Sequence, residues 1–125
     1  MKSFLKYFVP VLFIVSLLFV SCEYEFIVPE ELPPVDTTVV VSFDTIIAPI
    51  FAEQGCTGCH SGGTAPNLSQ GNEYVSIVPD LVNLVDPELS TIYTKPHPDG
   101  DHFNTYTPLQ AQDILQWITQ GALDN

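Results

Sequence analysis

Two cysteines set the terms on which this chain can fold. Cys56 and Cys59 are the only ones in its body, and they stand three positions apart. A disulfide between them closes no long loop, so it cannot restrict the unfolded chain as a distant pair does. The body, residues 43–125, is short for a single apolar core. Domains of that size are commonly completed by a staple, a metal or a bound cofactor. The 46% hydrophobic content does not remove the need, because much of it lies in the first twenty positions.

Those positions read as an address. Lys2 and Lys6 give a positive start, and Phe8 to Val20 is apolar except for Pro10 and Ser16. That run falls short of the roughly 20 apolar residues that span a bilayer. It ends at Leu18-Phe19-Val20-Ser21-Cys22, a small residue directly before a cysteine. The pattern resembles a bacterial lipoprotein signal, with Phe19 where leucine is usual. The resemblance implies that residues 1–21 are a signal peptide and that Cys22 becomes the acylated first residue. Each buried CH₂ of an acyl chain contributes about 0.8 kcal/mol, so more than one chain anchors stably. The alternative is an uncleaved N-terminal membrane helix, which also exports the remainder and leaves it tethered.

Charge narrows the partners. The chain carries no arginine, and its three lysines are Lys2, Lys6 and Lys95, against fifteen acidic residues. Phosphate backbones are neutralised by Lys and Arg, so nucleic-acid binding is excluded as a function. Neither a G-x-x-x-x-G-K-[ST] nor a G-x-G-x-x-G run occurs, which argues against a nucleotide enzyme. Without residues 1–21, one lysine stands against fifteen acids, a formal charge of −14. Such a surface favours partners with a basic docking patch.

Residues 22–42 read as an acidic linker. Pro29, Pro33 and Pro34 lack a backbone donor and fix φ, so an extended spacer is expected. Thr37–Val41 is β-branched and reads as a short strand or as the end of that spacer. The domain over 43–125 is expected to be all-α, a small bundle of three to five helices. Phe43, Ile46, Ile47, Ile50 and Phe51 form one apolar stripe, capped by Ser42 or Asp44 and ended by Gly55. Pro49 inside it predicts a kink or a split. The last helix has Thr107 as cap, Pro108 at its first position and Gln110 completing a T-x-x-Q box. Ala111, Ile114, Leu115 and Ile118 form its stripe, and Gly121 stops it. Asp86-Pro87 opens a short helix over 88–93. The state of the apolar stretch 74–85 is left open.

Cys56-Thr57-Gly58-Cys59-His60 is C-x-x-C-H, the attachment sequence for c-type haem. Two thiols one turn apart can add to the two vinyl groups on one porphyrin edge. The next residue then places an imidazole under the macrocycle as proximal ligand to iron. Attachment of this kind happens outside the cytoplasm, and export is argued here from separate residues.

With the motif between two amphipathic helices, followed by Ala65-Pro66-Asn67-Leu68 and closed by Trp117-Ile118 and Gly121-Ala122, residues 43–125 resemble a class I cytochrome c. The resemblance implies one covalent haem c on Cys56 and Cys59, with His60 as proximal ligand. It also implies that Pro66 offers its carbonyl to the other nitrogen of His60. Most of that family uses methionine as the sixth ligand. Here the only methionine is Met1, so His102 is expected in that role. His97, pinned between Pro96 and Pro98, and an open iron are the alternatives. Two imidazoles would hold the iron at a lower potential than a His/Met pair.

The function this implies is one-electron transfer by a protein that is not an enzyme. The protein would be tethered in the bacterial cell envelope through Cys22, with the outer membrane favoured. An open sixth position would instead suit a gas- or peroxide-binding sensor or enzyme. Cys56, Cys59, His97 and His102 also fit a structural zinc pattern, although that leaves His60 without a role. Trp117 is read as a core aromatic.

Overall fold

The computed structural model describes residues 31–125, and Leu32–Asn125 form one compact unit. The expected signal at 1–21, the acylated Cys22 and the first part of the linker lie outside the described residues. Among the described residues every regular element is helical and none is a strand. No helix among them is long and apolar enough to cross a membrane.

The first apolar stripe forms two pieces. A π-helical turn over Phe43–Ile47 passes directly into α1, Ala48–Glu53. Ser42 rather than Asp44 is the cap, its hydroxyl accepting from the Thr45 amide at 3.3 Å. Pro49 stands in the first turn of α1, where its missing N–H costs nothing. The proline thus marks the joint between a wide turn and an ordinary one.

The middle of the domain is made of short pieces. α2 spans Glu73–Ile77 and ends where Val78 turns extended before Pro79. The helix expected over 88–93 is split into a 3-10 turn, Pro87–Leu89, and α3, Thr91–Thr94. Ser90 separates them. Its backbone is extended and its buried hydroxyl accepts from the Asn83 amide at 2.9 Å, so it serves the preceding loop instead of continuing a helix.

Helix α4, Pro108–Thr119, forms as its signals direct. Thr107 and Gln110 make both bonds of the capping box, and Gly121 follows in the left-handed region at φ 103°. Its buried face carries Ala111, Ile114, Trp117 and Ile118. The π-helical turn packs on this helix. Phe43 lies against Trp117 with ring centres 5.3 Å apart, and Tyr74 meets Phe43 edge-on at 5.2 Å. Trp117 is completely buried and its indole N–H reaches the Leu123 carbonyl at 2.9 Å. It is a core aromatic, satisfied at both its apolar and its polar end. The C-terminus closes the structure, with Asn125 accepting from the Phe43 and Asp44 amides.

The described part of the linker differs from a free spacer. Residues 33–41 are irregular, as their prolines require, but they are fastened along α4. Gln112 donates to the Pro33 carbonyl at 3.1 Å, Gln116 to Asp36 at 2.8 Å, and Gln120 to Val39 at 2.7 Å. The Val41 amide returns a bond to Gln120 at 2.8 Å. The three glutamines recur every fourth residue and so share one helix face. Proline keeps its carbonyl while losing its N–H, so side chains that donate are the ones able to grip such a segment. The β-branched 37–41 run forms a turn instead of a strand, built on Asp36, whose carboxylate accepts from both the amide and the hydroxyl of Thr38.

Candidate functional site

The cysteine motif begins where α1 stops. Gly55 takes a left-handed conformation, φ 69°, which an L side chain adopts at a cost. The chain then winds into a tight 3-10 turn, Cys56–Gly58, closed by bonds from Cys59 and His60 to the Cys56 carbonyl at 3.2 and 3.0 Å. This winding turns the two thiols to opposite environments. Cys56 is buried and Cys59 is exposed. Burial pushes the Cys56 thiol above its ordinary range, so it stays protonated at neutral pH.

His60 follows at the end of the turn. Its Nδ1 lies 3.2 Å from the Pro66 carbonyl and 3.3 Å from that of Thr64. Carbonyls only accept, so the tautomer that makes these bonds carries its proton on Nδ1 and leaves Nε2 as a free lone pair. The Leu68 amide bonds back to the His60 carbonyl and closes the loop.

Opposite His60 stands His102. It comes from the loop between α3 and α4, residues 95–106. Its Nδ1 lies 2.9 Å from the Asn104 carbonyl, which fixes the same tautomer. The two rings have centres 6.1 Å apart and planes 26° apart. Two imidazoles that share one metal ion, each about 2.0–2.1 Å from it, have ring centres no more than roughly 6 Å apart.

The pair lines a cleft of about 250 Å³ with Cys56, Pro66, Tyr106 and the apolar Phe51, Leu68, Leu81 and Ile92. Tyr106 is buried and donates to the Ile92 carbonyl at 3.0 Å, and burial raises its phenol far above the ordinary range. Its role here is to pin the end of the loop to α3. Lys95 also reaches the cleft wall and pairs with the exposed Asp101 at 3.2 Å.

His97 lies elsewhere. Its ring meets Tyr93 edge-on at 5.0 Å, and its Nδ1 accepts from the Asp99 amide at 3.2 Å. It lines a separate surface hollow with Glu88 and Asp99. Of the sequence-derived candidates, Cys56, His60, Pro66 and His102 converge on one cleft, Cys59 stands exposed beside it, and His97 does not join them. Among the described residues no group of three or more His, Cys, Asp and Glu side chains gathers to hold a metal ion. The four residues of the zinc pattern are therefore not assembled.

Sequence reasoning did not single out Asn104. A methyl group on Gly100 would stand 2.5 Å from the Lys95 carbonyl oxygen, so this close approach of backbone to backbone requires glycine. The Asp99-Gly100 pair is a turn signal that the sequence offers, but its contact with the end of α3 is not legible without the fold. Compared with protein-family models, curated proteins and solved structures, the chain matches none of them.

Proposed function

We propose that this protein is an electron carrier of the class I cytochrome c type, with one haem c attached through Cys56 and Cys59. His60 is the proximal ligand and His102 the distal one. The single observation that supports this most is the opposed histidine pair. Each ring has its Nδ1 committed to a backbone carbonyl, the ring centres are 6.1 Å apart, and a cysteine of the C-x-x-C-H motif lies in the same wall. Two nitrogen donors alone are too few for a bare ion. His60 and His102 would be enough to hold the iron of a macrocycle that carries its own nitrogens.

When bound, the haem supplies a one-electron couple at its iron. The protein's part is to hold and tune. The Pro66 and Asn104 carbonyls orient the two imidazoles and raise their basicity. Phe51, Leu68, Leu81 and Ile92 exclude water from the cleft. Bis-histidine ligation and a negative surface both favour the oxidised iron, so the potential lies below that of His/Met relatives. With His60 and His102 both holding the iron, no site for a substrate would remain there, which suits a carrier. In this reading it is lipid-anchored at Cys22 in the bacterial cell envelope, which the sequence signals at 1–22 support, and its redox partners present a basic patch.

The test is a reduced-minus-oxidised spectrum and an intact mass of the protein expressed with haem-maturation machinery. The expected result is a low-spin c-type spectrum and the added mass of one tetrapyrrole. His102→Ala is expected to turn the oxidised form high-spin and to open it to carbon monoxide when reduced. A colourless protein without added mass would falsify the reading.

A further inference from the structure

The loop that carries His102 has few fixings near that residue. Phe103, its neighbour, is 96% exposed. Asp101, on the other side, has only an exposed ion pair with Lys95. Asn104 is different. Its carbonyl holds the Nδ1 proton of His102 at 2.9 Å, and its side-chain amide stands near Gly55. A methyl group placed on Gly55 would stand 3.4 Å from Asn104 Nδ2, at van der Waals contact. Gly55 is also the residue whose carbonyl accepts from Gly58 and starts the turn of the cysteine motif. One residue therefore bonds to the distal histidine and neighbours the start of the cysteine turn.

We propose that Asn104 is a positioning residue for His102, tying the distal loop to the start of the Cys56–His60 turn. The inference rests on the reading of the cleft as a bis-histidine haem site. The His102–Asn104 bond spans only two residues, so it orients the imidazole only as long as the backbone at Asn104 stays in place. The half-buried side chain, resting on Gly55, is what keeps it there. A smaller residue at 104 would leave the loop held only by its contacts at Gly100 and Tyr106.

The experiment uses the full chain loaded with haem, with Asn104→Ala, Asn104→Asp and His102→Ala beside the unaltered protein. The readouts are the spin state of the oxidised form and the rate at which added cyanide displaces the sixth ligand. Losing an orienting partner outright weakens a metal ligand by roughly 10–100-fold; Asn104→Ala keeps the carbonyl that holds His102 and removes only the side chain beside Gly55, so it is expected to speed displacement by a smaller, few-fold factor while the protein stays low-spin. Asn104→Asp keeps the side-chain shape and is expected to restore the original rate. If Asn104→Ala does not accumulate, Asn104→Ser takes its place with the same expectation. Displacement at the original rate in the truncated variant, or the same acceleration in Asn104→Asp, overturns the positioning role. A His102→Ala spectrum identical to that of the unaltered protein overturns the bis-histidine reading itself, and the positioning role with it.

Discussion

Helix α4 and the loop that leads into it meet at Thr107, yet they are kept in place by different forces. The helix sinks four side chains into the core, Trp117 and Ile114 completely, and its start is fixed by a reciprocal cap. The loop over 95–106 buries only Tyr106. It is otherwise held by single contacts: Gly100 against the end of α3, Asn104 on Gly55, and the Tyr106 amide on the Pro96 carbonyl at 2.7 Å. Apolar burial is non-directional and adds up over area, so it confers stability without fixing any one atom closely. Point contacts contribute less energy and more geometry. The region that carries the fold and the region that carries His102 are thus separable by mutation.

The largest effect is expected in the helix. Trp117→Ala removes the biggest fully buried side chain and should cost about 3–5 kcal/mol, read as a fall in the denaturant midpoint. In whatever fraction remains folded, the ligation of His102 should be unchanged. The loop gives the converse. Gly100→Ala forces a methyl group against the Lys95 carbonyl, and overpacking of this kind costs about 1–3 kcal/mol. Its signature should be a disturbed haem spectrum out of proportion to the lost stability. If Gly100→Ala lowers stability and leaves the spectrum intact, the division between the two regions fails.

The smallest effect sharpens the helix side. Burial raises the Asp113 carboxyl above its ordinary range. A folded-state pKa above the unfolded one means that ionisation weakens the fold. The deficit is absent below the ordinary aspartate range and fully present once pH passes the folded value. Asp113→Asn should therefore stabilise slightly at neutral pH, and the gain should vanish on acidification. Thermal unfolding at both ends of that range is the measurement.

The two regions also differ in how far the sequence discloses them. α4 was legible because its signals are local. A cap, a proline, a box and a stripe all lie within one stretch of chain. The cysteine turn was legible for the same reason, since C-x-x-C-H is contiguous. His102 was inferred from its place before the last helix, and its approach to His60 depends on contacts with distant residues. Gly55 and Asn104 are far apart in sequence, and neither residue type announces the other. The break at Ser90 was hidden because a serine that caps and a serine that bonds backward look alike before the fold is known. The grip on residues 33–41 was hidden because glutamines on an exposed helix face carry no mark of what they hold.

That grip has a mechanical consequence. A pull on the chain from its N-terminal side would load the side-chain hydrogen bonds of Gln112, Gln116 and Gln120 one after another before it reached Val41, the first core side chain among the described residues. The eight residue steps from Pro33 to Val41 lie along a helix stretch of about 12 Å, yet drawn out they cover roughly 27 Å. The segment therefore stores about 15 Å of slack, released like a seam unpicked stitch by stitch while α4 stays folded.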